Sequence, residues 1–237
     1  MPAITVAMIT LNEEAAVAKV IGDIQQAVSG LDAEILVVDS SRDRTPEIAA
    51  AMGARVLRQF PPQGYGRAMM RALTDAQGTV VITLDCDDTY PADRISEFAA
   101  AVLSGEADLV NASRLGTRPE SMPFANYLAN RFFALLAWIV LGVKTSDVHS
   151  GMRAYRRSML QHVTFDAVGP ALPVELLLKP ALLGYRIAEA FIPYRERIGE
   201  TTLRRWESTV WTLKRILRLL PLRFQSHCRE ETVGETG

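Results

Sequence analysis

The chain has 237 residues, 49% of them apolar and 22% charged, the balance of a globular protein with room for one substantial core. A formal net charge of -1 gives no field for drawing in nucleic acid, so no nucleic-acid partner is expected. Cys86 and Cys228 are too few and too far apart for a disulfide framework or a zinc site, which suits a reducing, cytoplasmic setting.

The N-terminus has no basic stretch followed by a long apolar run and soon reaches Glu13, so it reads as a first strand over 4–10 rather than a secretory signal. Asn12 is a candidate N-cap, with Glu13 and Glu14 in a first helical turn and Val17, Val20, Ile21, Ile24 and Val28 along one apolar stripe. A second strand over 35–38 leads to Asp39; Thr45 and Pro46 then open a helix that Gly53 closes. After a third strand near 55–57, Gly64-Tyr65-Gly66 opens a helix through Leu73, with Arg67 in its first turn. This alternation predicts an α/β fold with a mostly parallel central sheet flanked by helices, its first half a Rossmann-like nucleotide-binding unit.

The fourth strand carries the densest chemistry. Its apolar run over 80–84 ends abruptly in Asp85-Cys86-Asp87-Asp88, shortly before Pro91. Two carboxylates one residue apart at a strand end can turn their oxygens toward a hard cation such as Mg2+ or Mn2+, whose companion in this setting is a diphosphate. A solvated acidic turn ahead of a helix needs the same residues and no ligand. In open α/β sheets, however, ligands sit beyond the C-terminal strand ends. Asn12-Glu13, Asp39 to Asp43, Gly64 to Arg67 and Asp85 to Asp87 all fall on that rim. Capping by Asn12 or Asp43 and turn formation by the two glycines are the plain readings of the same residues.

Past a strand near 108–112, Arg114 to Pro119 forms a lid or substrate loop. The helical stretch 124–143 is apolar for about one membrane thickness. Asn126, Asn130 and Arg131 interrupt it, so it reads as packed on the protein or lying at a bilayer surface rather than spanning. A polar loop over 146–155 runs into a short strand and offers Asp147 and Arg153 to a reacting centre, although both also read as a buried ion pair or turn cap. Glu175 is a lone carboxylate in the apolar helix 173–183; it needs a partner and is expected to face the site. Over 203–222 the pattern is amphipathic, with Trp206, Trp211, Leu213, Ile216, Leu217 and Leu220 against Arg204, Arg205, Lys214, Arg215 and Arg218. The expected organisation is a catalytic domain over 1–202, an amphipathic helix over 203–225 and a disordered tail over 226–237.

Taken together, Asp39-x-Ser41-x-Asp43-x-Thr45, Asp85-x-Asp87 with Pro91, Ser113-Arg114, the stretch 147–155, Gly184 to Glu189 and Arg195 to Thr201 resemble the family 2 glycosyltransferases of GT-A fold. The branch they resemble is the dolichyl/polyprenyl-phosphate mannosyltransferase-like one, in order over roughly residues 3 to 205. The resemblance implies metal-dependent, inverting transfer of a hexose from a nucleotide-diphosphate sugar donor to a polyprenyl-phosphate-type lipid acceptor, with peripheral contact on the cytosolic membrane face. It implies that Asn12, Glu13, Asp39 and Arg67 border the nucleotide, and that Asp85 and Asp87 hold Mg2+ or Mn2+ and the diphosphate. Arg114, Asp147, Arg153 and Glu175 take catalytic positions, and Arg131, Arg195 and Arg197 meet the acceptor phosphate.

The chain departs from that pattern in three places. Val38-Asp39 stands where many relatives carry two adjacent carboxylates, and Thr89 where some carry a longer amide. The basic, amphipathic stretch 203–222 stands where membrane helices often follow. Two other readings stay open on the sequence: transfer to a soluble or polysaccharide hydroxyl with Asp147 as base, and a non-catalytic nucleotide-sugar-binding module.

Overall fold

The computed structural model describes residues 1–199 and 205–234. Expectations placed on Glu200 and Thr201, on the helix start at 203–204 and on the last three residues of the tail lie outside the described residues.

β1 (Ile4–Thr10), β2 (Ala33–Asp39), β3 (Arg55–Arg58) and β4 (Val80–Thr83) run parallel, joined through α1 (Val17–Ala27), α2 (Thr45–Ala51) and α3 (Tyr65–Asp75). After α4 (Ile95–Leu103) come β5 (Leu109–Ser113), α5 (Phe124–Leu141), β6 (Arg153–Arg156), α6 (Arg157–His162), α7 (Leu172–Leu182), β7 (Ile187–Phe191) and α8 (Arg205–Gly234). They complete a seven-stranded sheet in the order β3-β2-β1-β4-β6-β5-β7. Only β6 opposes its neighbours; it is antiparallel to both β4 and β5, while β7 pairs parallel with β5. The mostly parallel α/β sheet expected from the alternation is therefore present.

The central strands β1, β2 and β4 are largely apolar because both faces of the sheet are covered there. On one face Val17, Ile21 and Ile24 of α1 and Phe98 of α4 pack on Val6, Met8 and Ile82. On the other, Met69 of α3, Phe133 of α5, Leu177 of α7 and Ile216 of α8 pack on Leu36, Val38 and Val81. Gly66 lets the start of α3 approach the carbonyls of Ala167 and Gly169, where any side chain would collide.

Two expectations about element ends change. Asn12 does not cap a helix: it adopts a left-handed conformation (φ 59°), and α1 starts only at Val17, with no side-chain cap. α8 is assigned through Gly234, past the limit at 225, in keeping with the helix-forming Arg229, Glu230 and Glu231.

Candidate active site

The parallel register sets Thr10, Asp39 and Arg58 side by side at the ends of β1, β2 and β3. Asp39, fully buried, accepts from the hydroxyls of Thr10 (2.7 Å) and Ser41 (2.6 Å) and from the Ser41 amide (3.1 Å), and it pairs with the Arg58 guanidinium. Arg58 and Arg42 both lie over the exposed Phe60 ring, 6.0 and 5.7 Å from its centre. Asn12 ties the first loop to the second: its amide donates to Ser41 Oγ (2.8 Å) and its side-chain oxygen accepts from the Arg42 amide (2.9 Å). The Glu13 amide donates to Thr45 Oγ1 (2.9 Å). Arg67 is exposed in the first turn of α3 and takes no part in this network.

At the end of β4, Asp87 is buried and Asp85 is partly open. Thr89 orients Asp87 by donating its amide (3.1 Å) and hydroxyl (2.5 Å) to Oδ1, and Arg197 meets Oδ2 at 2.5 Å. Arg197 arrives there because the chain after β7 lies along 87–89: the Arg195 amide donates to the Thr89 carbonyl (3.0 Å) and the Ile198 amide to that of Asp87 (2.9 Å). Arg195 itself sits 3.7 Å from both Asp88 and Asp93. Asp85 leans against Gly151, where a Cβ would come within 2.7 Å of its Oδ2, so any larger residue there would push the carboxylate aside. The Gly151 amide donates to the Tyr90 hydroxyl (2.7 Å), which fixes that backbone against the acidic turn.

Burial, followed by the charge of Asp87, pushes the Asp85 carboxyl up to about 6. The same two causes push Glu13 up to about 7, against the opposing pull of Arg197. Three carboxylates thus share a confined space with one guanidinium among them. That surplus of negative charge fits a divalent cation held by Asp85 and Asp87. Among the described residues no group of three or more His, Cys, Asp or Glu side chains is placed to hold a metal ion, so an ion at Asp85 and Asp87 would need further ligands from outside the protein.

Beyond β5 the charges are arranged differently. Asp147, fully buried, accepts from Arg114 Nε (2.7 Å) and Nη2 (3.0 Å), from the Arg114 amide (3.3 Å) and from the His149 amide (3.0 Å). Burial alone would raise its carboxyl, but the Arg114 charge and these bonds more than reverse it, holding it below the usual carboxylate range. Arg114 also lies 5.3 Å over the Tyr194 ring, which meets Tyr90 edge-on. Arg153, buried, donates to Asn111 Oδ1 (2.8 Å) and to the carbonyls of Val148 (3.0 Å) and Pro173, so it braces the 146–151 loop. Glu175 is not brought to the acidic turn; it pairs with the buried Arg215 of α8 and with Lys179 at 3.4 Å. Arg131 is exposed on α5. His149 joins the loop to the outer helices, with Nε2 2.9 Å from the Thr212 hydroxyl of α8 and its ring edge-on to Phe133 of α5.

The structure thus gathers Asn12, Glu13, Asp39, Asp85, Asp87, Arg195 and Arg197 on the rim of the first half, and Arg114, Asp147 and Arg153 beside it. Sequence reasoning missed Arg58, Tyr90 and Tyr194. Arg58 had a usable signal, its place opposite Asp39 once the parallel register is drawn; the two tyrosines had none beyond lying next to polar turns.

A structure of glucosyl-3-phosphoglycerate synthase from Mycobacterium tuberculosis, in complex with Mn2+, uridine-diphosphate-glucose and phosphoglyceric acid, matches with a TM-score of 0.76 at 26% identity, over 93% of this chain and 80% of that one. A dolichyl-phosphate hexose transferase from Haloferax volcanii is 46% identical over 200 residues, covering 84% of this chain and 86% of that protein. A dolichol-phosphate mannosyltransferase from Pyrococcus furiosus is 28% identical over 74% of this chain, which spans 52% of that longer protein. The family model described as glycosyl transferase family 2 matches residues 5–164. A binding module without turnover is set aside by these likenesses: the chain belongs to glycosyl transferase family 2 and is a glycosyltransferase of GT-A fold.

Proposed function

We propose that the protein moves a hexose from a nucleotide-diphosphate sugar to a polyprenyl-phosphate-type lipid acceptor, with inversion at the anomeric carbon, in peripheral contact with the cytosolic face of a membrane. The observation that carries the choice of acceptor is the state of Asp147. A hydroxyl acceptor needs a base to take its proton, and the carboxylate best placed for that on the acceptor side has its lone pairs committed to Arg114 and His149 and its proton affinity lowered. A lipid phosphate arrives already ionised and needs cations to position it instead. Arg195 and Arg197 supply these beside the acidic turn, and Arg114, steered by Asp147 and Tyr194, supplies a third. The names of the Haloferax and Pyrococcus relatives support the same acceptor class.

On the donor side, Asp85 and Asp87 would hold Mg2+ or Mn2+. An ion bound there would supply stabilisation of the negative charge that grows on the leaving oxygen of the donor's diphosphate. Thr89 keeps Asp87 in its rotamer, and Gly151 leaves Asp85 room to face the ligand. The loops stitched by Asn12, Ser41 and Thr45 border the nucleotide. An acceptor phosphate oxygen forms the new bond to the anomeric carbon from the side opposite the departing diphosphate, which leaves with the bonding electron pair. No proton needs to be removed. Arg153 acts as a positioning residue for the 146–151 loop, and Glu175 as one for α8.

The test is a transfer assay with a panel of nucleotide sugars, a short-chain polyprenyl phosphate and the matching polyprenol, with Mn2+ or with EDTA. Product is expected only from the phosphate acceptor with metal present, with the anomeric configuration inverted by NMR. Comparable transfer to the free alcohol, or transfer that persists in EDTA, would overturn the reading.

A further inference from the structure

Each residue of the loop 146–151 is pinned by the sheet or the acidic turn, except one. Glu189 of β7 accepts from Ser146, Asn111 of β5 donates to the Asp147 carbonyl, and Arg153 of β6 donates to that of Val148. The Ser150 hydroxyl donates to the Ala112 carbonyl of β5, and the Gly151 amide to the Tyr90 hydroxyl. His149 reaches elsewhere. Its Nε2 lies 2.9 Å from Oγ1 of Thr212 in α8, 63 residues further along the chain.

An imidazole costs stability at this place. Its Nδ1 is buried and has no hydrogen-bond partner among the described residues. Burial pushes its pKa down to about 4 against the pull of Asp147, with Arg114 and Arg153 adding to the fall, so the ring is neutral near neutral pH. The ring meets Phe133 edge-on at 5.3 Å. A phenylalanine of similar shape would make the same contact and leave no nitrogen unpaired. What it would lack is direction. The Thr212 hydroxyl, 1% exposed on its residue, both donates and accepts, so it pairs with Nε2 in either neutral tautomer. α8 is a firm anchor for that bond, since Arg215 and Ile216, one turn on, are buried and Arg215 is paired with Glu175 of α7.

The bond gains its meaning from what the same residue does with its backbone. The His149 amide donates to Asp147 Oδ1 at 3.0 Å, and that oxygen also accepts from Arg114 Nη2 at 3.0 Å. A shift of the His149 backbone therefore turns the Asp147 carboxylate, and the two-pronged pair passes the turn to the Arg114 guanidinium. We propose that His149 is a positioning residue for acceptor recognition: tethered to Thr212, it holds its amide on Asp147 and so aims Arg114 at the acceptor anion. The inference rests on the lipid-phosphate reading only for what Arg114 meets.

The test compares His149→Phe, His149→Gln, Thr212→Val and the double variant His149→Phe with Thr212→Val, all in the full chain. In the transfer assay His149→Phe and Thr212→Val should each raise the acceptor KM roughly ten-fold. The donor KM, and Mn2+ affinity by calorimetry, should stay within about two-fold. His149→Gln places its amide nitrogen where Nε2 stands, so it should recover most of the acceptor KM although it melts lower than His149→Phe. A role in packing alone predicts the reverse order. The double variant should be no worse than either single one, because each removes the same bond. The Arg114 Nε–H signal by NMR gives a readout that needs no acceptor: its exchange with water should quicken in His149→Phe and Thr212→Val and slow again in His149→Gln. Additive losses in the double variant, losses shared equally by donor and acceptor, or an acceptor KM that follows the melting temperature would overturn the proposal. Unchanged Arg114 exchange sinks it whatever the acceptor; quickened exchange in a protein that transfers only to the alcohol sinks the lipid-phosphate reading alone.

Discussion

The two halves of the rim use buried charge in opposite ways. At the end of β4, Asp85, Asp87 and the nearby Glu13 crowd together with Arg197 as the cation among them, and two of the three are held well above the usual carboxylate range. Beyond β5, Asp147 and Glu175 are each matched by a buried arginine, and Arg153 spends its guanidinium on three fixed acceptors. Buried ion pairs give modest net stability but are costly to break from one side, so the second half is built to hold shape. The first half leaves a surplus of negative charge unmatched, which is what the proposed metal and diphosphate would need.

The largest expected effect tests the open half. Asp87→Asn should lower kcat on the order of a thousand-fold, about 4 kcal/mol of transition-state stabilisation, with little change in the urea midpoint. A loss of folding comparable to the loss of rate would erase the distinction between the halves. Next comes the closed half: Arg114→Met strands Asp147 and should cost about 3–5 kcal/mol in urea unfolding. Adding Asp147→Leu should restore much of that stability and none of the transfer activity. Should the double variant be no more stable than the single one, the pair is not the closed unit described.

A smaller effect sharpens the comparison at the boundary between the halves. Gly151→Ala pushes a methyl group into the Asp85 carboxylate, so Mn2+ affinity by titration calorimetry should fall roughly 10–100-fold while the melting temperature moves little. The smallest effect is in pH. Asp85 rises from 3.8 to about 6 and Glu13 from 4.5 to about 7 on folding. Within that window the folded chain holds protons the unfolded chain has lost, so metal-free stability is greatest at the acid end and declines as pH climbs toward 7. Mn2+ takes the place of those protons, so the gap in melting temperature between metal-loaded and metal-free protein should widen over the same range. A gap that narrows with rising pH would contradict the surplus of negative charge.

How much of this was legible in the sequence follows the range of the interactions. β1, β2 and β4 announce themselves because parallel interior strands are largely apolar, and the edge strand β3 follows from the start and stop signals of the helices on either side of it. The acidic end of β4 is legible for the same reason, since an abrupt run of carboxylates is a local event. Asn12 misled because a residue suited to capping is equally suited to a left-handed turn, and it is the Arg42 amide, from the next loop, that claims its side chain. The short strand after the 146–151 loop was legible, but not its reversal: the direction of β6 is set by neighbours far along the chain. Glu175 visibly needed a partner, but Arg215, in a segment that reads as amphipathic, gave no local sign of being that partner.

The reversed strand has one more consequence. β5 runs out at the rim and β6 starts from the same rim, so the excursion between them, α5 included, departs and returns at a single edge of the sheet. Its length and chemistry can drift over generations without shifting the register of any parallel strand. The carboxylates at the ends of β1, β2 and β4 are thereby insulated from whatever changes in that excursion.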